Sequence, residues 1–151
     1  MPQIRKMKES DLDQVADIAQ RAFARPWSRQ GFQEALPAEN AIFLVAEENG
    51  VVEGYCGMFV AVDEGEIINI AVKPEFQKQG IADRLMRAML SEGRKRAVYR
   101  MFLEVRVSNE AAIRLYEKNG FTRQGIRKDF YKEIHEDAYV MNRIEENVRL
   151  I

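Results

Sequence analysis

The chain has 151 residues, of which 46% are hydrophobic and 31% are charged, which is enough for one domain with its own core, and we place that domain at residues 1–151. This apolar share is too high for a disordered chain, and no apolar run approaches the roughly 20 residues that a membrane-spanning helix needs. Lys and Arg number 23 against 24 for Asp and Glu, so the net charge of -1 gives no attraction to nucleic acid, and neither nucleic acid nor a membrane is expected as a partner.

The N-terminal part predicts two helices separated by a loop that carries Trp27. Apolar residues recur at spacings of three and four over residues 11–23, which is the pattern of an amphipathic helix, and Ser10 is expected to cap it. Residues 28–36 predict a second, short helix that Ser28 caps and a proline stops.

Three strands are expected next. Residues 41–46 and 51–62 are apolar runs on either side of the turn at 48–50, which predicts an antiparallel hairpin. Residues 66–72 are apolar at nearly every position, as in a strand that helices cover on both faces. We therefore expect this third strand at the centre of the sheet.

The C-terminal half alternates helices and strands. A helix is expected up to residue 96, a strand over 101–105, a helix over 109–118, and strands over 121–126 and 138–144. The element order is βααβββαβαββ. It predicts an α/β (α+β) fold in a single domain, with a mixed central sheet of about seven strands and four helices.

Cysteine and histidine usage indicates neither a disulfide nor a metal site. Cys56 has no second cysteine to pair with and lies in an apolar run without a neighbouring histidine, which favours a buried structural thiol. His135 is the one histidine and is expected in a solvated loop. No apolar stretch follows the first charged residues, so we expect no secretory signal and a cytoplasmic location.

A single glycine between the central strand and the following helix is the first candidate for binding chemistry. The segment reads Gln77-Lys78-Gln79-Gly80-Ile81-Ala82. A helix N-terminus has unpaired N–H groups and a partial positive charge, and a preceding glycine allows an anion to approach the backbone. The glycine patterns of P-loops and dinucleotide-binding folds are not met, so a plain turn is the alternative.

Glu104 and Tyr116 are the other two candidates. Glu104 lies between apolar residues in a strand, so it is either a salt-bridged edge residue or a general base that faces a cleft. Tyr116 lies on the apolar side of a helix, which is typical of core packing and also compatible with a proton donor.

Together, these features resemble the GNAT superfamily of acetyltransferases over essentially the whole chain. Its Q/R-x-x-G-x-G/A loop matches the glycine segment, with Ala82 at the second small position, and follows the strand Asn69-Ile70-Ala71-Val72. The resemblance implies the GNAT fold and acetyl-CoA as co-substrate. It assigns the cofactor contacts to Ile70, Ala71, Val72, Lys78, Gln79, Gly80, Ile81, Ala82, Asp83 and Asn109.

Within that superfamily the chain is most similar to the RimI-type ribosomal-protein-alanine N-acetyltransferases. The matching segments are residues 21–28, 69–72, 103–109, 111–117 and 136–138. This likeness implies that a protein N-terminus, the N-terminal alanine of a small-subunit ribosomal protein, is the partner. It also implies that Glu104 is the proton acceptor and Tyr116 the proton donor.

The acceptor side is less well defined by the sequence. Trp27 and Tyr131 are expected to form the walls of a peptide cleft, and three acids, Asp63, Glu64 and Glu66, to attract a basic peptide. Residues 127–135, which we interpret as a loop, match the RimI type only in part.

Two other functions stay open at this point. One is a GNAT enzyme that acetylates a small amine, such as a polyamine or an antibiotic. The other is a catalytically silent module that binds acetyl-CoA. The C-terminal residues 145–151 are either a frayed tail or a docking segment.

Overall fold

The computed structural model describes residues 1–146, so most of the C-terminal segment 145–151 lies outside the described residues. The helices are α1 (Leu12–Ala22), α2 (Arg29–Ala35), α3 (Ile81–Lys95) and α4 (Glu110–Lys118). The strands are β1 (Gln3–Lys6), β2 (Ala41–Glu48), β3 (Val51–Ala61), β4 (Glu64–Val72), β5 (Arg100–Arg106), β6 (Thr122–Tyr131) and β7 (Glu136–Ile144). No helix within residues 1–146 is both long and apolar enough to cross a membrane.

The seven strands form one mixed sheet in the order β1-β2-β3-β4-β5-β7-β6. The β4–β5 pair is parallel and every other neighbouring pair is antiparallel. This arrangement confirms the predicted order of elements and the predicted central position of β4. The connection from β4 through α3 to β5 is the crossover that a parallel pair requires.

Two apolar cores cover the two faces of the sheet. Side chains of β2 alternate between them, because successive residues of a strand point to opposite faces: Phe43 joins the core under α1 and α2, and Leu44 joins the core under α3 and α4. Tyr55 and Phe32 are fully buried in the first core, and Leu85 is fully buried in the second. The sheet is therefore held rigidly between helix pairs.

The N-terminus of α1 differs from the prediction. The expected cap at Ser10 is wrong, because Ser10 lies inside a short 3-10 turn, Glu9–Asp11, and the residue that precedes α1 is Asp11. The Asp11 side chain makes no cap bond to α1; it accepts the backbone N–H of Lys8 at 2.8 Å and pairs with Arg5 at 2.8 Å. A buried carboxylate requires such partners.

The interpretation of residues 127–135 as a loop is also wrong. Strand β6 continues to Tyr131, and only a short 3-10 turn at Lys132–Ile134 separates it from β7. Arg127 pairs with Ala138, and Tyr131 pairs with Glu136, across a bulge that takes up the intervening residues. Bulged hairpins lack the regular alternation by which a strand is identified in a sequence.

Cys56 and His135 are placed as predicted. Cys56 is buried, its thiol donates a hydrogen bond to the Leu85 carbonyl at 3.8 Å, and burial raises the pKa of the thiol. His135 is exposed in the turn before β7. A thiol held protonated in a core is a poor nucleophile.

Candidate active site

Strands β4 and β5 diverge along their length. Their parallel pairing covers only Glu64–Glu66 with 100–102, although β4 continues to Val72 and β5 to Arg106. Beyond Glu66, the edge of β4 that faces β5 has no strand partner in the described chain, which leaves backbone polar groups available to a ligand. The divergence opens a cleft in the middle of the sheet.

A bulge in β4 lies at the start of this cleft. Met58 and Gly57 of β3 pair with Ile67 and Asn69, so Ile68 is the extra residue. The Asn69 side chain donates to the Ile68 carbonyl at 2.6 Å, and the buried Tyr55 hydroxyl donates to the Asn69 side-chain oxygen at 3.0 Å. No local sequence pattern indicates this support, because Tyr55 and Asn69 lie on separate strands.

The first of two cavities, of about 590 Å³, lies between the C-terminal half of β4 and the N-terminus of α3. Gly80 caps α3 with a φ of 84°, a conformation that favours glycine, and no side chain caps that helix end. The first N–H groups of α3 therefore face the cavity unpaired. The predicted cofactor residues that line it are Ile70, Ala71, Val72, Lys78, Gly80, Ile81, Ala82, Asp83 and Asn109.

Two of the predicted cofactor residues, Gln79 and Asp83, are less simply related to the cavity, and both assignments stay predictions. Gln79 is exposed and does not line the cavity. Asp83 lines it, and its carboxylate pairs with Arg87 at 2.9 Å and accepts the Asn119 side-chain amide at 3.1 Å. The Asp83 side chain therefore joins α3 to the end of α4.

The second cavity, of about 370 Å³, lies at the opposite end of the cleft. It brings together Glu104, Tyr116, Trp27 and Tyr131, which are far apart in sequence. Of the three acids expected to attract a peptide, only Glu66 lines it. The two cavities adjoin, since they share six lining residues: Ala22, Phe23, Ile70, Arg106, Asn109 and Ala112.

Glu104 is the carboxylate at the centre of the second cavity, with 18% of its side chain exposed. Burial raises the pKa of its carboxyl group, and the Glu66 carboxylate raises it further. Arg127 of β6 opposes both effects, since its guanidinium lies 3.4 Å from a Glu104 oxygen and lowers the pKa. A carboxyl group with a raised pKa is a stronger base than an ordinary glutamate.

Tyr116 and Tyr131 face the same cavity. Tyr116 is 7% exposed, and its ring packs against Phe121 with centroids 5.8 Å apart. Burial raises the pKa of the Tyr116 hydroxyl, and burial together with Glu104 raises that of Tyr131. Both phenols are protonated at neutral pH and can donate hydrogen bonds.

Asn109 and Trp27 have structural partners besides the cavities. The Asn109 side-chain oxygen accepts the Ala112 N–H at 3.2 Å and so caps α4, as predicted. The Trp27 indole packs against Phe32 at 5.4 Å and Phe59 at 5.9 Å, so it is at once a wall of the second cavity and an extension of the core.

Arg127 is the functional candidate that sequence reasoning missed. It stands in a strand whose residues are mostly exposed, where an arginine is usually just solvated. The partner across the sheet, Glu104, is 23 residues away. In residues 1–146 no group of three or more His, Cys, Asp or Glu side chains is arranged to hold a metal ion.

Comparison with known proteins gives a consistent result. Residues 12–121 match the family described as "Acetyltransferase (GNAT) family". A Bacillus subtilis protein named as a candidate ribosomal protein bS18-alanine N-acetyltransferase is 39% identical over 139 residues, 91% of this chain and 92% of that protein. The Escherichia coli ribosomal protein bS18-alanine N-acetyltransferase is 37% identical over 143 residues, covering 93% and 96%.

The fold comparison agrees with these matches. The crystal structure of the ribosomal-protein-S18-alanine N-acetyltransferase from Escherichia coli superposes with a TM-score of 0.87 at 35% identity. The match covers 99% of this chain and 100% of that one. The match thus extends over the strands and helices that form the site.

Proposed function

The chain belongs to the GNAT family of acetyltransferases, and on that premise we propose that it transfers acetyl from acetyl-CoA to a protein N-terminus, the N-terminal alanine of a small-subunit ribosomal protein. The observation that carries the proposal is the pair of adjoining cavities, with a helix N-terminus in one and Glu104 in the other. The names of the relatives support the choice of substrate. The corresponding place of action is the cytoplasm.

The first cavity suits the diphosphate and pantetheine of acetyl-CoA. The uncapped N-terminus of α3 offers N–H groups and a partial positive charge, and Gly80 leaves its surroundings open, since a Cβ there would meet no atom within 4 Å. The edge of β4 that faces β5 offers backbone groups at Ile70 and Val72 to the pantetheine arm, with the Val72 carbonyl also accepting the Gln77 side-chain amide at 3.0 Å. When bound, acetyl-CoA supplies the acetyl thioester.

Glu104 is proposed as the base that takes the proton from the acceptor amine. At pH 7 an α-amine with a pKa near 7.8 is about 10 to 20% neutral, whereas a lysine side chain is about 0.04% neutral. The free energy needed to reach the neutral amine thus differs by about 3.5 kcal/mol. An N-terminal amine therefore needs little help, and one partly buried carboxylate is sufficient. The neutral amine attacks the thioester directly, because the buried Cys56 is not available to form an acyl-enzyme.

Tyr116 is proposed to donate to the departing sulfur. Even an ordinary phenol, with a pKa near 10, gives its proton to the thiolate of a thiol with a pKa near 8.5 only at a cost of about 2 kcal/mol. Burial raises the pKa of Tyr116, which makes complete transfer still more costly. We infer that its main contribution is a hydrogen bond to the developing negative charge.

The two charges beside Glu104 predict opposite shifts of the pH–rate profile. The reaction needs Glu104 ionised, so the rate falls on the acid side as its carboxyl group takes up a proton. Arg127→Gln removes a positive charge that lowers the pKa of Glu104, so the acid limb of the profile should move to higher pH. Glu66→Gln removes a negative charge that raises this pKa, so the acid limb should move to lower pH. Shifts in the same direction, measured as kcat against pH with one peptide, would contradict this electrostatic account.

A panel of acceptors tests the proposed substrate against a small amine. We expect initial rates to be highest with a peptide that begins with alanine. They should fall to background when its N-terminus is blocked while an internal lysine is kept, and stay low with polyamines and aminoglycosides. Fast acetylation of a small amine, or of the blocked peptide, would replace the proposed acceptor, and no turnover with any amine would favour a silent binding module.

A further inference from the structure

Arg25, in the connection between α1 and α2, lines the second cavity and contacts the hairpin formed by β6 and β7. Its guanidinium donates to the Phe130 carbonyl at 2.6 Å and pairs with the Glu133 carboxylate at 3.1 Å. The same guanidinium lies over the Phe130 ring, 5.8 Å from the centroid. Three contacts thus join one side chain to a hairpin 105 residues further along the chain.

The contact connects the two walls of that cavity. One wall is the α1–α2 connection with Trp27, and the other is the end of β6 with Phe130 and Tyr131. The first wall is a connecting segment and the second is the bulged end of an edge strand, so cross-links such as this one help to fix the position of both. Glu133 itself does not line the cavity.

The Phe130 ring extends this contact toward the base. Arg127 also lies over that ring, 5.2 Å from its centroid, and the same guanidinium is the partner of Glu104. The ring is therefore held between two arginines, each of which can contribute a cation–π attraction. A shift of Phe130 would move the charge that faces Glu104.

We propose that Arg25 is a positioning residue that fastens the two walls of the acceptor cavity, so that the peptide binds to a preformed cleft. The proposal rests on the assignment of this cavity to the acceptor under the proposed function. A preformed cleft avoids the ordering of two segments when the peptide binds. The fastening acts through Glu133 and Phe130, and not through contact with the peptide.

The first test separates peptide binding from chemistry. Arg25→Ala should raise KM for the alanine-starting peptide about fivefold to tenfold, and a tenfold change corresponds to a loss of about 1.4 kcal/mol in binding free energy. The same variant should leave kcat within about twofold and KM for acetyl-CoA unchanged. Arg29→Ala is the matched control, because Arg29 pairs with Asp13 at 2.6 Å but lines neither cavity. An unchanged peptide KM in Arg25→Ala, or an equal rise in the control, would overturn the proposal.

A second variant distinguishes fastening from direct contact with the peptide. Glu133→Gln should also raise the peptide KM, by about twofold to threefold, although Glu133 lies outside the cavity lining. In the double variant the effects should fall well short of multiplying, as for residues that act on one another. If Glu133→Gln has no effect, Arg25 does not act through the hairpin.

Hydrogen exchange tests the fastening without any substrate. Amide exchange over residues 127–135 should be faster in Arg25→Ala than in the unmodified protein, and unchanged in Arg29→Ala. Equal exchange in all three would refute the fastening even if the peptide were a good substrate. Failure of the unmodified protein to acetylate the peptide would instead refute the proposed function and leave the exchange experiment decisive.

Discussion

Glu104→Gln lowers kcat with an alanine-starting peptide by about 100-fold or more at pH 7, the range expected when a general base is lost. Gln keeps the shape of the side chain, so both cavities are preserved and KM for acetyl-CoA should change little. The lost step is removal of the ammonium proton. The rate of the variant should therefore recover as the pH rises and the amine loses its proton without help.

Stability provides an internal control for this variant. The pKa of Glu104 is raised in the folded protein, so this group favours folding most below its unfolded-state pKa, and that contribution is lost as the pH rises through the folded-state pKa. At pH 7 the ionised Glu104 thus opposes folding, and Gln should leave the Tm equal or higher. A loss of activity with no loss of Tm cannot be attributed to unfolding.

Glu64→Gln is the matched control for Glu104→Gln. Glu64 pairs with Arg100 at 3.0 Å in the same sheet and lines neither cavity. The kcat of the Glu64→Gln variant should therefore stay within about twofold of that of the unmodified protein. A Glu104→Gln variant that keeps its rate near pH 7 would show that another group, or water alone, takes the proton.

Tyr116→Phe gives the second largest effect, a fall in kcat of about tenfold to 100-fold, at the lower end of what a positioned donor contributes. Phenylalanine keeps the ring that packs against Phe121, so Tm and KM for acetyl-CoA should be nearly unchanged. The loss should shrink with an acetyl thioester of a more acidic thiol, because that thiolate needs less stabilisation as it departs.

Tyr139→Phe is the control for the tyrosine variant. Tyr139 lies in β7 with Arg123 over its ring at 4.5 Å and lines neither cavity. The loss of the Tyr139 hydroxyl in this variant should leave kcat unaffected. Unaltered turnover in Tyr116→Phe would exclude Tyr116 as the donor and leave the departing sulfur to solvent.

Much of the fold could be predicted because its signals are local. The apolar run of β4, the glycine before α3 and the caps at Ser28 and Asn109 each depend on a few neighbouring residues. The resemblance to GNAT proteins implied that Glu104 and Tyr116, which lie in different segments, belong to one site. The structure places both residues at one cavity, and their catalytic roles stay predictions.

The remaining features depend on contacts between distant residues. The Asp11 carboxylate pairs with Arg5 and accepts the Lys8 N–H, and the Asp83 carboxylate accepts the side-chain amide of Asn119 at the end of α4. The charge beside Glu104 comes from a bulged strand whose residues are mostly exposed. No spacing along the chain encodes these pairings.

The most direct test of the proposed activity is to locate the acetyl group after reaction. A ribosomal protein that begins with alanine is incubated with the enzyme and acetyl-CoA, and its fragments are analysed by mass spectrometry. The proposed function predicts one acetyl group, on the N-terminal alanine, formed about 100-fold or more slowly when Glu104→Gln is used at pH 7. An acetyl group on lysine side chains, or an unmodified N-terminus, would contradict it.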